Sequence, residues 1–355
     1  MPHLAAISTI DFPYKVAQQE VKKCAQAIFE PSFPQVERMM SAFDNTEIIT
    51  RNFCKPLDYY SSSHSFQQQN DEYIRITLQY SIHAIEDCLL KAGLKKDSIT
   101  DIIFLSTTGL ATPSLDALII NAMRLNQDVS RTPVFGLGCA GGVAGFAKAN
   151  IAAKANPDAV VLLVAAELCS LTFLRNDFSK SNFIGSSLFA DGIAACLIAG
   201  DNHKLRTEKN IGFLDSRSKL YYDSLDVMGW EFQENGFKVL FSQDIPAIIS
   251  ANIYDDVSAF LEKNGLKISD ISNFIFHPGG KKVLSAYEEA LNVDYDFLLN
   301  TRSVMNENGN MSSPTVLYVL DKFYQQGFVN GYGLMVAMGP GFSSEMVLLK
   351  MSKND

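Results

Sequence analysis

The chain lacks the cysteine spacing that would staple it or bind a metal. Its six cysteines (Cys24, Cys54, Cys88, Cys139, Cys169, Cys196) form no Cys-x-x-Cys pair and have no histidine at ligand spacing. Neither a disulfide framework nor a metal site is expected, and a reducing cytosol fits. Positive charge is also short: 30 Lys and Arg against 39 Asp and Glu leave a net charge of −9. That balance argues against nucleic acid as the main partner. No apolar run is long enough for a membrane span. The strongest, Val160–Ala166, falls far below the roughly 20 residues a bilayer requires. Met1 to Pro13 lacks a basic start followed by a long apolar stretch, so no signal peptide is expected. With 355 residues and 47% hydrophobic content, the chain reads as a soluble cytoplasmic protein, larger than one average domain and well cored.

Helical periodicity marks Tyr14–Glu30, Asp71–Ala92, Ser114–Leu125 and Gly142–Ala155. Short apolar runs suited to buried strands, Ile102–Leu105 and Val160–Ala166, lie between them. The second half repeats the scheme, with helical Ile245–Asn264, Lys281–Leu291 and Ser313–Gln326 around strand-like Phe274–Phe276. The polar stretch Ser61–Gln69 predicts an exposed loop. Such alternation implies an α/β architecture.

An internal echo sharpens this. Lys91-Ala92-Gly93-Leu94-Lys95 recurs as Lys263-Asn264-Gly265-Leu266-Lys267, and each copy leads through a polar step into an apolar strand. Two related halves follow, residues 1–205 and 206–355, with a polar break at Asp201-Asn202-His203-Lys204. The echo aligns Leu105 with His277. An imidazole in one copy and an apolar residue in the other is the pattern expected when one copy carries chemistry.

Cys139 follows a β-type stretch and two glycines and precedes a small-residue helix, Ala144 to Ala155. A helix N-terminus favours an anion, so this position predicts a thiol pKa below its usual value of about 8.5. His277 ends an apolar strand before Pro278-Gly279-Gly280; a hydrogen-bonded structural histidine is the plain alternative. Asn310 sits in a Gly-rich loop before a helix, where ordinary turn chemistry explains its neighbours but leaves its amide spare. Thiol, imidazole and carboxamide together suit acyl transfer through a thioester, with the latter two holding an oxyanion. Gly136-x-Gly138-x-x-Gly141 also matches a dinucleotide fingerprint, but no acidic residue falls where that motif needs one. Its glycines are expected to serve close packing.

Several segments in order resemble the type III polyketide synthases, the chalcone synthase-like enzymes of the thiolase fold. They are Gly138-Cys139-Ala140-Gly141-Gly142, Glu167-Leu168-Cys169-Ser170-Leu171-Thr172-Phe173, Ser187-Leu188-Phe189-Ala190-Asp191-Gly192, His277-Pro278-Gly279-Gly280, Gly309-Asn310-Met311-Ser312-Ser313 and Gly339-Pro340-Gly341-Phe342. The resemblance implies a duplicated α/β/α/β/α five-layered sandwich and a homodimer. It makes Cys139, His277 and Asn310 the catalytic triad for decarboxylative condensation of an acyl-CoA starter with malonyl-CoA, giving a pyrone or resorcinol-type ring. Coenzyme A thioesters would be substrates, and no permanently bound cofactor or metal is implied.

The same resemblance makes Phe189 a gate and puts Val239 where plant members carry a second gate phenylalanine. Thr108, Thr112, Cys169, Thr172 and Ser312 would line the pocket, and their modest size leaves room for a long acyl chain. The run from Cys169 to Asn182 looks like bacterial members that make alkylpyrones or alkylresorcinols. Arg51, Lys281 and the Gly279–Gly280 backbone would meet CoA phosphates. Two rivals share the fold: a ketoacyl-carrier-protein synthase III-like enzyme, whose histidine typically lies in a His-Gln-Ala-Asn setting, and a non-catalytic scaffold subunit.

Overall fold

A computed structural model of the chain describes residues 1–31, 33, 36–203 and 209–353. Its first half runs β1 (His3–Thr9), β2 (Tyr14–Ala17), α1 (Gln18–Phe29), α2 (Val36–Asp44), β3 (Thr50–Phe53), α3 (Leu57–Ser61) and α4 (Phe66–Ala92). It continues with β4 (Asp101–Ser106), α5 (Leu115–Met123), β5 (Ser130–Phe135), α6 (Gly141–Ala155), β6 (Val160–Leu168), α7 (Lys180–Leu188) and β7 (Asp191–Ala199). The second half holds β8 (Lys209–Leu220), β9 (Met228–Gln233), β10 (Gly236–Phe241), α8 (Ile245–Lys263), β11 (Ile271–Phe276) and α9 (Lys281–Leu291). It closes with α10 (Leu299–Asn308), α11 (Ser313–Gln326), β12 (Gly331–Gly339) and β13 (Ser343–Lys353).

Nine strands join in the order β11-β12-β13-β8-β1-β7-β6-β4-β5. The two parts of this sheet meet through a single pairing, His3 with Gly212. Three apolar cores then define five layers. Helices α6 and α11 lie between the two parts and share one core with both. Helices α4 and α5 cover the outer face of the first part; α8 and α9 cover that of the second. This is the thiolase-like sandwich the sequence implies. β6 is buried at all nine residues, as a strand covered on both faces should be.

The echo is structural. Gly93 ends α4 at φ 65° with Leu94 N–H on Leu89 O (2.9 Å); Gly265 follows α8 at φ 70° with Leu266 N–H on Leu261 O (3.0 Å). Each leads through a short 3-10 turn into β4 or β11. The expected join at 205/206, with Lys204, lies outside the described residues. Two local expectations are corrected. Tyr14–Ala17 is a strand, because Val16 pairs with Arg51 in a separate two-stranded ribbon. The Ser61–Gln69 loop ends early, because Ser65 and Gln68 form a reciprocal capping box that starts α4 at Phe66.

Candidate active site

Cys139 sits in the turn Gly138–Ala140 between β5 and α6. The turn is pinned by Gly138 N–H donating to Thr107 Oγ1 at 3.0 Å. The start of α6 presses on the start of α11 so closely that a Cβ on Gly142 would lie 2.2 Å from Ser313 O. In the dinucleotide-like run, Gly138 and Gly141 serve packing as expected, an added Cβ lying 2.7 Å from Pro340 Cδ and 3.0 Å from Ser313 Cβ, whereas Gly136 has nothing within 4 Å and serves the turn instead, at φ 93°.

Asn310 is held by main chain on both sides. Its N–H donates to Leu188 O (2.9 Å), and its carbonyl accepts Ala190 N–H (2.8 Å), making a bridge with Phe189. Its Oδ1 accepts Ser312 N–H at 2.9 Å, which leaves the amide NH2 free to donate. That amide and the Ser312 hydroxyl reach the Cys139 thiol, and both favour its anion. The sequence placed Ser312 in the pocket; the structure puts it on the sulfur, at φ 59°.

His277 closes β11, its N–H donating to Val336 O on neighbouring β12 (2.8 Å). The end of β12 packs on the cysteine turn, with Gly339 against Leu137 and Ala140. His277 is 3% exposed and neither of its ring nitrogens has a partner among the described residues. Burial pulls the imidazole down to about 3 and pushes the Cys139 thiol up to about 12, outweighing its hydrogen bonds. The expectation of a thiol depressed by the helix terminus is thus not met: both groups favour their neutral forms.

Sequence reasoning missed Glu167 as part of this site. It is fully buried and its carboxyl is raised to about 7 by desolvation, against hydrogen bonds that lower it. Oε2 accepts Thr107 N–H (2.9 Å) and the Thr108 hydroxyl (2.8 Å); Oε1 accepts the Ser313 hydroxyl (3.0 Å). One carboxylate thus ties the end of β4, the end of β6 and the start of α11 around the cysteine turn.

A cavity of about 70 Å³ adjoins the site. Cys169, Thr172, Phe189 and Val239 line it, as expected. Trp230, the one tryptophan of the chain, lies 6.3 Å from the Phe189 ring and was not anticipated. The far wall is helical and apolar, with Val21, Ala25 and Ile28 beside Cys24. Thr108 lines a smaller neighbouring cavity instead. Thr112 is corrected: it is exposed, in the turn of a cis Thr112–Pro113 peptide, and lines neither.

The expected CoA contacts fare worse. Arg51 is 1% exposed, and its Nη1 donates to Ser186 O (2.7 Å) and Phe189 O (2.9 Å). It is an interior residue, because those carbonyls draw it inward, and not a phosphate contact at the surface. Lys281, half exposed at the start of α9, pairs with Glu47 at 3.1 Å. Gly279 N–H is spent on His277 O (3.1 Å); Gly280 stands at the N-cap of α9. Among the described residues no cluster of His, Cys, Asp or Glu could hold a metal, and no helix is long and apolar enough to cross a membrane.

Comparison with known proteins agrees with this geometry. Residues 47–202 match the family model of chalcone and stilbene synthases, N-terminal domain, and residues 216–352 match its C-terminal counterpart. A Bacillus subtilis (strain 168) protein, provisionally named a chalcone synthase, is 41% identical over 99% of this chain and 100% of its own length. The 1,3,6,8-tetrahydroxynaphthalene synthase of Streptomyces peucetius subsp. caesius is 33% identical over 98% and 92%. The crystal structure of 1,3,6,8-tetrahydroxynaphthalene synthase from Streptomyces coelicolor A3(2), a bacterial type III polyketide synthase, superposes with a TM-score of 0.92 at 27% identity, covering 99% of each chain. This chain belongs to the chalcone and stilbene synthase family, the type III polyketide synthases, which are acyltransferases that condense acyl-CoA with malonyl-CoA.

Proposed function

We propose that the starter is a long-chain fatty acyl-CoA and that the product is an alkylated pyrone or resorcinol. The observation that carries this is the cavity. Its volume is small, about 70 Å³, but its wall on α1 is aliphatic, with Val21, Ala25 and Ile28, which suits an alkyl chain better than a polar or charged starter. Val239 rather than a second phenylalanine widens the passage beside Phe189.

In this reading Cys139 Sγ attacks the starter carbonyl as its proton passes to His277, and coenzyme A leaves as the thiol. A neutral imidazole offers one acceptor and one donor, which is what unpartnered His277 presents. The Asn310 NH2, oriented because Oδ1 is occupied, joins it in holding the oxyanion. Malonyl-CoA then loses carbon dioxide, its enolate forms a C–C bond to the acyl carbon, and the Cys139 thiolate departs. Repetition and ring closure complete the product. The division of the chain at 205/206, Lys281 and Gly280 as CoA contacts, and a cytosolic location belong to the same proposal. So does a homodimer, supported by β5, an edge strand exposed at five of its six residues.

The test is a starter series, with malonyl-CoA constant and product read by mass spectrometry. Each buried methylene contributes about 0.8 kcal/mol, so KM should fall by up to about fourfold per added carbon until the cavity is full. Palmitoyl-CoA should give an alkylated ring. No such product, or no dependence on chain length, overturns the long-chain reading.

A further inference from the structure

The burial of Arg51 demands a reason. A guanidinium taken from water costs several kcal/mol unless it is well partnered. Here Nη1 holds two carbonyls, while Nε and Nη2 have no hydrogen-bond partner among the described residues. Desolvation lowers it to about 9, with Asp191 opposing that shift, so it stays a cation at neutral pH. Asp191 does not pair with it directly; its oxygens accept Cys54 N–H, Ser170 N–H and the Ser170 hydroxyl. The rings of Phe53 and Phe43 stand 5.2 and 5.8 Å from the head group. A chain needing only packing here would use an aliphatic residue.

What Arg51 touches supplies the reason. Ser186 O and Phe189 O belong to the C-terminal end of α7, where a cation complements the helix dipole. Phe189 is the gate residue, and its backbone is bridged to Asn310. The stem of Arg51 lies under Gly309, whose φ is 77° and where a Cβ would meet Arg51 Cγ at 2.9 Å. The head thus holds one partner of a short backbone bridge, Phe189, and the stem packs under Gly309, the residue next to the other partner, Asn310.

We propose that Arg51 is a positioning residue, a latch that fixes the Phe189 gate and the Asn310 amide as one rigid unit. This rests on the reading of Cys139, His277 and Asn310 as the catalytic groups. Loosening the latch lets the Asn310 amide drift from the oxyanion, and a misplacement of about 1 Å costs on the order of 100-fold in rate. It also lets the gate ring move against Trp230.

The experiment compares wild type with Arg51→Met, which keeps the stem, and Arg51→Lys, which keeps stem and charge without the fork. Active sites are counted by starter acylation of Cys139 in intact-mass spectra, and kcat is expressed per acylated site. Trp230 emission and its quenching by acrylamide report the gate without any turnover. Expected is a loss of about 100-fold in kcat per acylated site for Arg51→Met, with Trp230 more easily quenched; Arg51→Lys falls between. Wild-type kcat per site and wild-type quenching in the variants overturn the proposal, as does a loss that only tracks the folded fraction. If Arg51→Met does not fold, Arg51→Lys is judged by the same criteria. A wild type that forms no product refutes the catalytic reading instead, and the quenching arm still decides the latch.

Discussion

The ends of β4 and β11 occupy equivalent places in the echo, yet they treat their polar groups oppositely. Past β4, Thr107 and Thr108 are fully engaged: they hold Glu167 and the Gly138 N–H that shapes the cysteine turn. Past β11, His277 keeps its backbone bonded while both ring nitrogens stay unpartnered in the interior. Buried polar atoms without partners are rare and costly. One strand end is spent on scaffolding; the other leaves hydrogen-bonding capacity unspent, which the proposed function assigns to the substrate. A duplicated element can divide labour in this way because each copy reaches the same middle layer from opposite sides.

The most damaging way to break the contrast is to make the second strand end copy the first. His277→Leu installs the residue found at position 105 and removes the only proton acceptor proposed for Cys139. Product formation should fall by at least about 1,000-fold, and alkylation of Cys139 at neutral pH should slow, since burial disfavours its thiolate and the acceptor proposed for its proton is gone. Product assay and timed iodoacetamide labelling check both.

A smaller effect is expected on the scaffolding side. Thr107→Val keeps the shape but strands the Gly138 N–H, which should cost about 1–3 kcal/mol. Denaturant unfolding reads the loss, and turnover should fall less than in His277→Leu. If it falls as far, the division of labour is wrong.

The smallest effect is a pH dependence. The folded Glu167 carboxyl, at about 7, lies above its ordinary 4.5. The proton it retains stabilises the folded chain fully below the ordinary value, and that contribution is lost as pH rises through about 7. Glu167→Gln has no proton to lose. Wild type should therefore lose Tm relative to the variant between pH 5 and 8, and parallel curves would refute the assignment.

Much of this was legible in the residues. The helix–glycine–strand echo, the cysteine turn and the amide loop are local, and each appears where the sequence puts it. Lys281–Leu291 and Ser313–Gln326 match to the residue. The misses are long-range. Glu167 ends an apolar run, and its partners stand 59, 60 and 146 positions away. Arg51 reads as a surface cation until carbonyls 135 and 138 positions on draw it inside. Trp230 lies on β9 of the β9–β10 hairpin, a strand with no fully buried residue and three exposed ones, so it shows no buried face.

The helix that closes the far end of the cavity hangs from the β2–β3 ribbon, outside the nine-stranded sheet. Swapping Val21, Ala25 or Ile28 for larger or smaller neighbours disturbs one short amphipathic segment and its local core. The sulfur, the ring and the amide stand on other elements. If this cavity holds the starter, as proposed, substrate length can drift during evolution while the reaction stays put, much as a ruler can be recut without touching the blade.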